Sequence, residues 1–132
     1  MRKWKLLTAA IFMQQGPSQD DGLLTYDEIL QLNLQAELVI LSACDTSRGE
    51  ITGDGVIGLS RSFIAAGSPS VMVSLWAVPD AETATLMTEF YQYFQGEGLN
   101  KAQALRKAML EVSQTSPNPR QWAAFTIIGE AD

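Results

Sequence analysis

Two short motifs that follow one apolar run carry the residue types needed for chemistry. Cys44, with Asp45 beside it, comes directly after a run of strand length, where a thiol could act as a nucleophile. Gly53, Gly55 and Gly58 have the G-x-G-x-x-G spacing of dinucleotide-binding loops, in which backbone N–H groups meet a pyrophosphate at a helix N-terminus. The two motifs predict different proteins.

The position of the glycines argues against nucleotide binding. In a dinucleotide-binding fold the first glycine turns directly off the strand, but here residues 44–52 lie between the expected strand and Gly53. Asp80 lies about where the ribose-binding acid of that motif belongs, so nucleotide binding stays one alternative. The other interpretation is that Gly53 and Gly55 shape a loop and that Gly58 allows close helix packing.

The position of Cys44 favours chemistry, but its general base is missing. Open parallel sheets place ligands and reactive groups just past the carboxyl ends of their strands, where helix dipoles can acidify a thiol and backbone N–H groups can face an oxyanion. The chain has no histidine, and an aspartate such as Asp45, with an ordinary pKa of about 3.9, is a poor base for a thiol of about 8.5. Alternatively, Cys44 is a small buried apolar side chain.

Composition excludes several classes of function. The 132 residues are 46% hydrophobic, which is enough for one domain with its own core. A net charge of −6 would repel phosphate backbones, so we expect no nucleic-acid partner. One cysteine and no histidine exclude a disulfide framework and a cysteine-cluster zinc site, so we expect no metal and no other cofactor.

The same residues bear on the compartment. A lone cysteine favours a reducing environment, and the apolar run of residues 6–13 is too short to span a bilayer. We therefore expect a cytoplasmic chain without a membrane partner.

Apolar runs alternate with amphipathic segments, which predicts an α/β fold with right-handed crossovers. Strands are expected at residues 6–13, 38–43, 71–76 and 122–128. Helices are expected after a capping box at Thr25 and Glu28, at residues 56–66 before a stop at Gly67, after Pro79, and after a second capping box at Asn100 and Gln103. Two stripes at helical spacing should face the core, namely Met87, Phe90, Tyr91 and Phe94, and then Ala102, Leu105, Met109 and Val112.

Four segments, in order, resemble the CHAT domain, a caspase-like module often found behind tetratricopeptide repeats in bacterial proteins. They are LVILSACDT at residues 38–46, GDGVIGLSRSFIAAG at 53–67, VSLWAVPD at 73–80 and WAAFTIIG at 122–129. The resemblance extends over residues 22–129 and implies the fold of the peptidase clan of caspases, gingipains and separases. It implies a three-layer, mainly parallel sheet with helices on both faces.

The resemblance also implies roles for individual residues. Cys44 falls on the nucleophile position, and the family's histidine follows the neighbouring strand in a stretch similar to H-F-A-T-H-G. The counterpart at residues 11–16 is IFMQQG, which puts Gln15 at the histidine position. Because glutamine cannot accept a thiol proton, the dyad would be broken. The remaining implied positions are Gly16 and Cys44 for the oxyanion hole, and Asp45, Trp76 and Asp80 for the substrate pocket.

The chain resembles only the C-terminal part of the family's domain. We expect a single truncated domain over residues 1–132 that lacks the N-terminal strands of the full domain, with a weakly matched strand in residues 1–16. The apolar run that begins at Leu6 and ends at Met13 would then form an exposed sheet edge. Such an edge invites a homodimer or a partner chain.

These observations predict a degenerate or truncated CHAT domain that is catalytically inactive alone. It would act as an interaction or regulatory module and hold a protein or peptide in a remnant groove around Cys44. One alternative is a cysteine endopeptidase in which Cys44 uses a base from another chain. The other is nucleotide binding between Gly53 and Gly58.

Overall fold

In the part of the chain that the structure describes, four strands form one sheet, in the order in which they occur along the chain. The computed structural model describes the backbone of residues 6–10, 26–42 and 53–132, and the side chains of residues 27–41 and 58–132. The strands are β1 (Leu6–Ala10), β2 (Leu38–Ser42), β3 (Ser70–Ser74) and β4 (Phe125–Gly129). The first three run parallel and β4 pairs antiparallel with β3, which confirms the mainly parallel sheet.

Helices cover both faces of this sheet. They are α1 (Tyr26–Gln31), α2 (Gly53–Ala65), α3 (Asp80–Tyr91) and α4 (Lys101–Thr115). A π-helical turn at Gln92–Gly96 continues α3, and a 3₁₀ turn at Pro119–Gln121 precedes β4. One core cluster joins the sheet to α1 and α2, and the other joins it to α3 and α4, so the three-layer arrangement is confirmed.

The apolar runs in β2 and β3 explain why the sheet needs two helical layers. Successive side chains of a strand point to opposite faces. Ile40 and Met72 therefore pack towards α3 and α4, whereas Val39 and Val71 pack towards α1 and α2. All four are buried, as expected for parallel strands that are covered on both sides.

Signals at the helix ends are confirmed where the structure describes them. The Asn100 side chain accepts a hydrogen bond from the Gln103 backbone N–H at 2.9 Å, and the Gln103 side chain accepts from the Asn100 N–H at 3.4 Å. Gly67 follows α2 with φ +120°, and a Cβ built there would lie 2.7 Å from the Leu34 carbonyl oxygen. Helix α1 begins directly after Thr25, which lies outside the described residues.

The two predicted helical stripes are largely confirmed. Phe90 and Phe94 are buried and stack at 5.4 Å between ring centroids. In α4, Leu105 and Val112 are buried, but Ala102 is exposed. The prediction for Ala102 is wrong because the buried face of α4 starts one residue earlier, at Lys101. The buried residues of α4 are Lys101, Ala104, Leu105, Ala108 and Val112.

Two predicted boundaries are wrong. Helix α2 begins at Gly53, so Gly53 and Gly55 lie in its first turn and not in a loop. A Cβ at Gly58 would meet no heavy atom within 4 Å among the described residues, so no close contact there requires glycine. Strand β4 begins only at Phe125, because the chain before it forms the 3₁₀ turn and Trp122 donates its indole N–H to the Ser116 carbonyl at 2.9 Å.

Candidate functional site

The carboxyl ends of β1, β2 and β3 meet at one edge of the sheet, which we call the carboxyl edge. Ala10 at the end of β1 pairs with Ser42 at the end of β2. Strand β3 runs parallel to β2 on its other side and ends at Ser74. The three segments that follow these strands therefore start side by side, which is where sheets of this kind place their ligands.

Four of the predicted site residues belong to two of those segments and lie outside the described residues: Gln15, Gly16, Cys44 and Asp45. Cys44 comes two residues after the end of β2, and Gln15 comes five residues after the end of β1. The structure thus shows that the two segments leave adjacent parallel strands at the same edge.

Trp76 comes two residues after β3 and is held firmly at this edge. Its half-buried ring packs against the core cluster of α3 and α4. Its indole N–H donates to the Arg120 backbone carbonyl at 2.8 Å, across 44 residues of chain. Trp76 therefore provides a fixed aromatic wall next to the end of β3.

The 3₁₀ turn presents the carbonyl that fixes Trp76. The Asn118 side chain accepts from the Arg120 backbone N–H at 3.1 Å, and Pro119 occupies the first position of the turn. Sequence reasoning missed this anchor because a backbone carbonyl has no residue-type signal. The Asn118-Pro119 pair, a common turn initiator, was the available clue.

Asp80 is the first residue of α3 and its side chain is exposed. Pro79 occupies the N-cap position and its side chain forms no capping hydrogen bond. Carboxylates in the first turn of a helix interact favourably with the helix dipole, and Glu82 adds a second one here. Asp80 thus stabilises the start of α3 and also places a negative charge in the segment that follows β3.

A buried polar cluster, which sequence reasoning missed, lies at the opposite edge of the sheet. Lys101 is only 2% exposed, and its Nζ donates to the Ser70 Oγ at 2.7 Å. Ser70 Oγ in turn donates to the Glu130 backbone carbonyl at 2.5 Å. That carbonyl lies opposite Pro69, which has no N–H to offer in the strand ladder, so the Ser70 hydroxyl takes the place of the missing donor.

Burial lowers the pKa of Lys101, because an ammonium loses its hydration there. The carboxylates of Glu37, Glu130 and Asp132 act in the opposite direction. The cluster joins the start of α4 to β3 and to the chain after β4. Its position away from the carboxyl edge makes it a structural element.

Two kinds of site are absent from the described part of the chain. No three side chains among His, Cys, Asp and Glu come together there as ligands for a metal ion. None of the described helices combines the length and the apolar character needed to cross a membrane.

Comparison with known proteins agrees with this architecture. Residues 3–130 match the family model of the CHAT domain. The chain is 38% identical over 115 residues to Tetratricopeptide repeat protein 28 of Mus musculus, and 39% identical over 115 residues to the protein of the same name from Homo sapiens. Each match covers 86% of this chain but only 5% of the relative, so the chain spans about one-twentieth of their length. This chain belongs to the CHAT domain family.

Proposed function

We propose that this chain is a degenerate CHAT domain, inactive as an enzyme by itself, that acts as an interaction or regulatory module. In this proposal it binds a peptide segment of another protein in a groove at the carboxyl edge, around Cys44. One observation carries the proposal: a chain that matches the family over residues 3–130 contains no histidine at all. A cysteine without a positioned base is a weak nucleophile near neutral pH.

The strand pairing supports the assignment of Gln15 to the histidine position. In the family that this chain resembles, nucleophile and histidine follow neighbouring strands. Here β1 and β2 are adjacent and parallel, and the segments after them contain Gln15 and Cys44. A neutral amide at that position can orient a peptide carbonyl but cannot take up a proton.

The described side of the carboxyl edge supports peptide binding. Trp76 is fixed by its bond to the Arg120 carbonyl, so it presents a rigid apolar surface at little entropic cost. The exposed carboxylate of Asp80 adds a charge in the same segment. An aromatic wall beside a polar group is typical of sites that recognise peptides.

The relatives support a role in protein interaction. Their name describes tetratricopeptide repeats, which stack into extended surfaces that bind other proteins. A module of this kind next to such repeats would present a bound peptide to them. With only one cysteine in the chain, we place this role in the cytoplasm.

A second chain would pair with β1 in this proposal. Strand β1 comes first in the strand order, and no described strand pairs with its outer edge. An open strand edge can hydrogen-bond to another copy or to a partner half-domain. This is the edge at which the sequence predicts association.

The test is the rate at which iodoacetamide alkylates Cys44 between pH 5 and pH 10. We expect the rate to follow an ordinary thiol with a pKa of about 8.5. Gln15→His should raise the rate near pH 7, because an imidazole then faces the thiol, whereas the matched variant Gln14→His should not. A thiolate that reacts at full rate at pH 6 in the unmodified chain, together with covalent capture of a peptidyl inhibitor, contradicts the proposal and favours an active peptidase.

A further inference from the structure

A second groove lies on the far side of the sheet from β1, between α4 and the outer edge of β4. Its volume is about 460 Å³, within the range of about 300–1,000 Å³ that is typical of ligand pockets. Leu105, Met109 and Leu110 of α4 form one wall, and Phe125 and Ile127 of β4 form the other. The groove is apolar and open to solvent, and Leu110 is 47% exposed.

The backbone of β4 offers hydrogen-bonding groups along this groove. Leu75 N–H donates to the Ala124 carbonyl at 2.8 Å, and Glu130 N–H donates to the Pro69 carbonyl at 3.0 Å. In an antiparallel pair, the backbone N–H and C=O groups of successive residues point alternately towards the partner strand and away from it. The backbone groups of the even-numbered residues of β4 therefore bond to β3, and those of the odd-numbered residues point away from it. The residues whose N–H and C=O groups point outwards are Phe125, Ile127 and Gly129.

No described strand pairs with that outer edge. Its outward groups are spaced two residues apart over the five residues of β4, which corresponds to about 17 Å of extended chain. The edge and the apolar wall of α4 therefore lie side by side, as they do in domains that bind a peptide by adding it to a sheet.

The charge of the residues that line the groove indicates that its ligand carries a negative charge. The whole chain is acidic, with 15 Asp and Glu against 9 Lys and Arg, yet none of the described residues that line the groove carries a carboxylate. Within the described part of the chain, Arg106 is the one charged residue in the lining, and it has no ion-pair partner there. The next residue, Lys107, is already paired with Glu97 at 3.3 Å.

We propose that this groove binds an extended peptide segment of another protein, which adds to β4 as a further strand and bears a carboxylate for Arg106. Side chains at every second position of the segment would pack between α4 and β4, because alternate residues of a strand face the same side. The carboxylate would form a charge-assisted pair with the guanidinium. The site is separate from the groove around Cys44 and does not depend on it.

The probe is a fluorescein-labelled octapeptide in which valine alternates with threonine and one central threonine is replaced by glutamate. A matched probe has lysine at that position. By fluorescence anisotropy with the full chain, we expect the glutamate probe to bind about tenfold more tightly than the lysine probe. Arg106→Gln should weaken the glutamate probe about threefold to tenfold and remove the preference. Arg61→Gln, which removes an exposed cation on the opposite helical layer, should change nothing.

A second measurement shows where the probe binds. Amide hydrogen exchange by NMR should slow at Ile127 and Gly129 when the glutamate probe is present, because their outward N–H groups become hydrogen-bonded. Binding that is unaffected by Arg106→Gln, unchanged exchange at these amides, or no anisotropy change up to about 1 mM probe would each overturn the proposal. A dimer of the unmodified chain that Arg106→Gln dissociates would overturn it as well, since a second copy would then occupy the groove.

Discussion

Replacing Ser70 by alanine removes one hydroxyl that bonds both the buried Lys101 ammonium and the Glu130 backbone carbonyl. Ser70 is fully buried, and its Oγ accepts from Lys101 Nζ at 2.7 Å and donates to the Glu130 carbonyl at 2.5 Å. Lys101 is 2% exposed, so water cannot easily replace the lost acceptor. Pro69 offers no N–H to the Glu130 carbonyl, so that oxygen also loses its donor.

The expected loss of stability follows from these two lost bonds. The Lys101 ammonium is buried, so losing its acceptor costs about 1–3 kcal/mol. Glu130 is exposed, so water can bond its carbonyl instead, and the loss of that bond adds at most about 1 kcal/mol. Ser70→Ala should therefore lower the free energy of unfolding by about 1–4 kcal/mol. Since domains of this size are stable by about 5–15 kcal/mol, this is a large part of the total.

Urea unfolding followed by tryptophan fluorescence measures this loss, and the chain provides a matched control. Ser62 is also fully buried, but its Oγ finds no hydrogen-bond partner among the described residues. Ser62→Ala should leave the free energy of unfolding within about 0.5 kcal/mol or raise it, because no bond is lost. If both variants lose the same small amount, the Lys101 cluster does not stabilise the fold and the reasoning is refuted.

Two further predictions concern Lys101 and Trp76. Burial lowers the pKa of Lys101 below its ordinary value of 10.5. Between the lowered pKa and 10.5 the unfolded chain therefore binds more protons than the folded chain, so the free energy of unfolding should rise with pH there. Lys101→Met lacks this group and should not show the rise. The pKa of Tyr93 is raised by burial and by Glu111 and Glu89, but Tyr93 is present in both chains, so its contribution cancels when their free energies of unfolding are subtracted. If that difference does not change between pH 8 and pH 10.5, the prediction is contradicted. Trp76→Phe and Trp122→Phe each remove one indole bond to a backbone carbonyl, of 2.8 Å and 2.9 Å, and should each cost about 1 kcal/mol in urea unfolding. Only Trp76→Phe should also weaken peptide binding at the carboxyl edge, and equal affinities for the two variants would argue against that site.

Local signals predicted most of the fold. The near-continuous apolar runs identified β2 and β3, because parallel strands that are covered on both faces leave no polar alternation. The capping box of Asn100 and Gln103 fixed the start of α4, and Gly67 fixed the end of α2. The start of α2 was predicted too late, because the glycines at its N-terminus have low helix propensity and the surrounding structure overrides it.

The features that the sequence did not reveal depend on contacts between distant segments. From the sequence, Lys101 would be predicted to be an ordinary surface lysine. In the fold its ammonium is buried and bonds to Ser70, which lies 31 residues earlier. The anchor of Trp76 is a backbone oxygen 44 residues away. Of the predicted site, Trp76 and Asp80 lie in the segment after β3, whereas Gln15, Gly16, Cys44 and Asp45 lie outside the described residues and stay predictions.

Whether the chain cleaves peptides by itself decides between the proposed inactive module and an active peptidase. Incubating the purified chain with a diverse peptide library and detecting products by mass spectrometry tests it most directly, with Cys44→Ala as the control. We expect the same product spectrum for both chains, with peptides that bind the carboxyl edge recovered intact. Products that the unmodified chain forms and Cys44→Ala does not would show an active peptidase and contradict it.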